Sequence, residues 1–147
     1  MRINARKTLG LTAMGVVLAA GTLGGVACSS GSSAIAVKLS EFRVSASSTI
    51  MTHGHQKLHI SNSGTIPHEL LVFRPAAGTD PTKLPVSSDG DINEDGPGAK
   101  KISDGDNIDP GKDQSRTVDF STPGTYVLVC NIAGHYKQGM AEVVTVK

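Results

Sequence analysis

Near the C-terminus the stretch CNIAGHYKQGM, Cys130 to Met140, holds a thiol, an imidazole and a thioether at the spacing C-x4-H-x4-M. Gly134 and Gly139 stand directly before His135 and Met140, where they let the backbone bend sharply enough to aim two side chains inward. A thiolate and a neutral imidazole are metal ligands, and a thioether is a soft one. Structural zinc sites close a tetrahedron with Cys and His pairs, and a thioether is a poor zinc ligand. A thiolate, two imidazoles and a long axial thioether instead make a copper centre suited to one-electron transfer. The tail supplies three of those four donors, so a second imidazole must come from elsewhere in the chain.

Four other histidines are available: His53, His55, His59 and His68. His68 follows the turn-like stretch NSGTIP and opens the apolar run HELLVF, so a buried strand would hold it rigidly. His59 alternates with Leu58 and Ile60 and should point away from their face. His53 and His55 flank Gly54 in an expected hairpin turn and should be exposed. His68 is therefore the first choice, with His59 or His55 as replacements. A second possible ion site, DINEDG at Asp91, Asn93, Asp95 and Gly96, mimics the opening of a calcium loop. Position twelve of that loop is Ile102 rather than a bidentate Glu, so a solvated acidic turn is expected.

The scaffold that must position these donors reads as all-β. AIAVKLSEFRV, KLHIS and SRTVDF alternate apolar and polar residues, whereas HELLVFR and TYVLVC are nearly continuous apolar runs, as strands covered on both faces would be. AEVVTVK closes the chain, and NSGTIP, DPGKD and STPG are turn chemistry. About seven or eight short strands predict an antiparallel Greek-key β-sandwich over residues 34–147. Residues 75–112, rich in Gly, Pro, Asp and Ser, predict a partly ordered excursion at one edge or end.

Residues 1–27 carry Arg2, Arg6 and Lys7 ahead of a short apolar stretch, the pattern of an export signal. LGGVACSS resembles a bacterial lipobox, which predicts lipidation at Cys28, a flexible tether over 28–33 and a place at the outer face of the cell membrane or in the periplasm. Loss of residues 1–27 would leave 11 basic and 13 acidic side chains, a net charge of −2. That balance and the few aromatics argue against a nucleic-acid partner. With Cys28 lipidated, Cys130 has no disulfide partner, and a lone thiol in an oxidising compartment is a liability unless something occupies it.

NSGTIPHELLVF followed about sixty residues later by PGTYVLVCNIAGHYKQGM resembles the cupredoxins, the plastocyanin- and azurin-like blue copper proteins. The C-x4-H-x4-M spacing is similar to that of the rusticyanins and sulfocyanins. The resemblance implies that His68, Cys130, His135 and Met140 hold one Cu(I)/Cu(II) ion, that the protein is a monomeric electron carrier rather than an enzyme, and that its partners are transient redox proteins. It also implies an apolar electron port at the edge of His135, collared by Ile66, Pro67, Ile132 and Ala133. Asn62, Glu69 and Asn131 are candidates for tuning the ligands. Glu69 departs from the Asn common after the first His, which puts the usual hydrogen bond across the site in question, and Asn131 is expected to tie the ligand loops together. Cys130 lies between Val129 and Asn131 rather than between the two histidines of a multicopper oxidase. The alternative is a copper carrier or buffer that uses His53, His55 and His59 to capture the ion at the surface.

Overall fold

The computed structural model describes residues 34–147; the expected signal, tether and Cys28 lie outside them. Among the described residues nine strands form: β1 (Ile35–Ser40), β2 (Arg43–Ala46), β3 (Ile50–Met51), β4 (Gly54–Asn62), β5 (Leu71–Pro75), β6 (Ala99–Ser103), β7 (Asp113–Phe120), β8 (Gly124–Val129) and β9 (Ala141–Val146). A single 3-10 turn, Tyr136–Gln138, interrupts the loop between β8 and β9. One sheet runs β2-β1-β4-β7 and the other β3-β9-β8-β5-β6. This is the anticipated sandwich with two additions that alternation cannot disclose. β1 pairs with β4, and β3 with β9, in parallel.

Strand period explains the core. Val37, Leu39, Leu58, Ile60, Val118 and Phe120 project from the first sheet onto Val72, Tyr126, Leu128, Val144 and Val146 of the second. The intervening residues of β4, His55, Lys57 and His59, are exposed. Side chains of period two cannot all share one face, so the unbroken apolar runs of β5 and β8 need cover on both. Their outward residues, Leu71, Phe73, Val127 and Val129, pack in a second cluster with Leu84, Ile92 and Ala99. The excursion over 75–112 supplies that cover. It contains β6 and folds across a face of the second sheet, not merely at an edge or end.

His53–Gly54–His55 is not a hairpin turn. β3 and β4 belong to different sheets, so the chain passes from one layer to the other at this point. A strand that leaves one sheet for the other carries no sequence mark separable from a turn, since both favour a glycine; Gly54 has φ 105°.

Candidate metal centre

His68 lies three residues ahead of β5 rather than inside it. It is held by a two-residue bridge in which its N–H donates to the Ile108 carbonyl (3.2 Å) and the Ile108 N–H donates back (2.6 Å). The turn before it is built on Asn62, a buried side chain. Its Nδ2 donates to the Ile66 and Ile108 carbonyls, both at 2.8 Å, and its Oδ1 accepts the Gly64 N–H at 2.8 Å. Asn62 thus fixes the segment that presents His68, and it does so through backbone groups.

Cys130 follows directly on β8. Its N–H donates to the Met140 carbonyl (3.1 Å) and the Met140 N–H to the His135 carbonyl (3.2 Å), so the loop returns each donor to the same place. Gly134 (φ 79°) and Gly139 (φ 92°) adopt the left-handed conformation that this return requires. Asp91, in the acidic turn, accepts the Gly134 N–H at 3.1 Å, so its carboxylate braces the donor loop.

The outcome is convergence. His68 Nδ1 lies 3.3 Å from His135 Nδ1 and 3.9 Å from Cys130 Sγ, and Cys130 Sγ lies 3.3 Å from His135 Nδ1. Among the described residues no other set of three His, Cys, Asp or Glu side chains lies so close. An ion about 2.0–2.1 Å from each nitrogen and about 2.3 Å from the sulfur, in a trigonal plane, spaces its donors roughly 3.5–3.8 Å apart. The observed separations fit that within about half an ångström. His68, Cys130 and Met140 are fully buried and His135 is 7% exposed, so the cluster meets solvent almost only at the His135 edge.

The surroundings bias the charge states of His68 and Cys130. Burial lowers the pKa of His68, His135 lowers it further and Glu41 opposes them. The imidazole is therefore held neutral, as a ligand must be. Burial pushes the Cys130 thiol up, while the Glu69 N–H, 3.4 Å from Sγ, and the Ile132 N–H favour the thiolate. Burial, then Glu94, raises the Glu69 carboxyl to about 7, and the backbone N–H of Asn131 pulls it down. The Glu69 backbone N–H, not its side chain, makes the contact from this segment to the Cys130 sulfur. The Asn131 side chain does not share in it. Its Oδ1 accepts the Ile92 N–H (2.7 Å), and its Nδ2 donates to the Ile92 carbonyl (3.0 Å) and to Glu94 Oε1 (3.2 Å). Asn131 therefore anchors the excursion, because its side chain leaves the strand end on the outer face.

The remaining histidines stand apart from the cluster. His53 Nδ1 lies 3.1 Å from the Lys147 carbonyl, and His59 Nδ1 lies 3.2 Å from Ser115 Oγ. Of the residues expected to collar His135, Pro67 and Ala133 are exposed and Ile66 and Ile132 half-buried. Two neighbours of the cluster carried no readable signal. Phe42 meets the His135 ring edge-on at 5.1 Å, and Glu41 reaches within 3.9 Å of His68 Nε2. Both sit on the turn between β1 and β2, which only pairing in space brings to the site.

A family profile described as the sulfocyanin (SoxE) domain matches residues 26–147. A search of curated protein sequences finds no match. Among solved structures, the reduced auracyanin of Roseiflexus castenholzii aligns with a TM-score of 0.53 at 20% identity, over 76% of this chain and 94% of that one. Auracyanin B aligns at 0.51 and 21%, over 78% and 88%. A multi-copper oxidase from Pediococcus acidilactici aligns at 0.52 and 15%, over 92% of this chain but 30% of the oxidase. At these identities the structures show a shared fold.

Proposed function

The chain belongs to the sulfocyanin family of blue copper proteins, the cupredoxins, and from that premise we propose that it carries single electrons between protein partners outside the cytoplasm, through one copper ion held by His68 Nδ1, Cys130 Sγ, His135 Nδ1 and the Met140 thioether. The observation that supports this reading best is the mutual approach of three buried donors, 3.3–3.9 Å apart, from two separate segments. Copper bound there supplies a one-electron couple between Cu(II) and Cu(I). A thiolate and a thioether favour the reduced ion, and imidazoles accept either state.

The chain's contribution is rigidity and access. The Asn62 turn, the Ile108 bridge and the return of Met140 onto Cys130 and His135 keep the donors in one arrangement for both oxidation states. Little then has to rearrange when an electron arrives or leaves. Burial of three donors leaves no open position for a substrate. The edge of His135, 7% exposed, is the port by which an electron passes, with Ile66, Pro67, Ile132 and Ala133 as its collar. A partner with an apolar face can approach there without desolvating charge. The segment 1–27 exports the chain and lipid on Cys28 anchors it, which keeps the carrier near membrane-bound partners; it works as a monomer. A copper-buffer role has less support, since His53 and His59 are occupied by other contacts and lie apart from the cluster.

The visible spectrum after Cu(II) addition tests the reading. Wild type should develop an intense thiolate-to-copper band that Cys130→Ser lacks. A wild-type protein that binds Cu(II) and stays colourless would sink the proposal.

A further inference from the structure

The imidazole of His68 is fully buried, and its Nε2 has no hydrogen-bond partner. A ligating histidine ordinarily donates its second ring N–H to a carboxylate, carbonyl or water, which fixes the tautomer and raises ligand basicity. The carboxylate of Glu41 lies 3.9 Å from that atom, too far for a hydrogen bond but well within reach of its charge. This carboxylate does not wander. Glu41 Oε1 accepts the Thr65 N–H, the Thr65 hydroxyl (3.0 Å) and the Ile66 N–H (3.1 Å). It is packed so close that a Cβ placed at Gly64 would lie 2.6 Å from it.

We propose that Glu41 is the positioning partner of His68: it holds the imidazole proton on Nε2, leaves Nδ1 bare toward the metal, and lowers the reduction potential of the centre. The potential follows from charge. A fixed anion stabilises the more positive, oxidised ion over the reduced one, so removing it favours reduction. Three hydrogen bonds donated to one carboxylate oxygen favour its ionised form. The next residue extends the device, since Phe42 packs edge-on against His135 at 5.1 Å and an interplanar angle of 78°. One turn between β1 and β2 therefore touches both imidazoles, through a charge on one side and a ring on the other.

Glu41→Gln preserves shape and an acceptor oxygen while removing the charge. In metal-free protein, nitrogen-15 NMR of the ring should show His68 as the Nε2–H tautomer in wild type, with the Nδ1–H form several-fold more populated in Glu41→Gln. In copper-loaded protein the variant's midpoint potential should rise by a tenfold change in the equilibrium constant, about 59 mV for one electron. Asp119→Asn, an equal charge change at the other end of β4 and β7 from Asn62, should shift it far less. An Nδ1–H tautomer in wild type, or equal potential shifts in the two variants, would overturn the proposal. The redox arm rests on the copper reading, whereas the tautomer arm does not. A colourless copper-loaded protein therefore defeats that reading and leaves the role of Glu41 to be decided by NMR.

Discussion

Single residues here do chemistry only in the state that their neighbours impose. His68 is kept neutral by burial, and Cys130 is raised by burial and drawn back by two backbone N–H groups. Glu41 makes the consequence measurable. Its folded-state pKa is depressed to about 2 from an ordinary value near 4.5, chiefly by the Thr65 N–H. A carboxylate with a depressed pKa stabilises the fold fully above the unfolded value and loses that contribution as pH falls through the folded one. Metal-free wild type should therefore be more stable than Glu41→Gln at neutral pH, and the gap should close between about pH 4.5 and about 2 in denaturant titrations. A gap unchanged across that window would mean the carboxylate acts by shape alone. Cys130, His135 and Met140 were legible as donors because type and spacing lie within eleven residues. Glu41 was not, because its partner is nearly thirty positions away and an isolated Glu on an alternating strand reads as surface.

Elements decide where those residues meet. The turn that presents His68 lies outside β5. Besides the Ile108 bridge, two side chains hold it: Glu41, and Asn62 at 2% exposure. Asn62→Ala would remove two donated hydrogen bonds and one accepted, leaving the Ile66 carbonyl without its Asn62 donor and the Ile108 carbonyl with the His68 N–H alone. The expected cost is about 1–3 kcal/mol of stability, read from the denaturation midpoint. Faster amide exchange at Gly64 and His68 should accompany it. If stability fell with exchange at those amides unchanged, Asn62 would be supporting some other part of the sandwich. The strands were recognisable from alternation, while the two parallel pairings and the change of sheet at Gly54 were not. Direction and layer depend on which strand becomes a neighbour, and period-two patterning is silent on that.

At the scale of the molecule the second sheet has two covered faces, one against the first sheet and one beneath the excursion. This arrangement explains why a long Gly- and Asp-rich segment persists: Leu84, Ile92 and Ala99 shield β5 and β8, and Asp91 and Asn131 tie the same segment to the donor loop. In the proposed reading the end bearing His135 is the one that partners meet. Ile132→Lys should slow electron transfer to a protein partner while the copper band survives, as stopped-flow mixing would register. If a basic partner is steered by the acidic groups of the excursion, the rate in wild type should fall as ionic strength rises. Bleaching in Ile132→Lys would show that this side chain supports the donors instead of the encounter.

The sequence by itself determined the all-β class, the kind of donors and the backbone bends at Gly134 and Gly139, because side-chain chemistry, strand period and tight-turn conformation are local properties. Tertiary structure decided the rest: that His68, sixty-two positions from Cys130, brings its Nδ1 to 3.9 Å from that sulfur, that Asn131 faces the excursion, and that Glu41 and Phe42 close on the two imidazoles. Contacts of that separation depend on which strands pair and in what register. Those choices are made by burial summed over the whole sandwich, so no short stretch of chain encodes them.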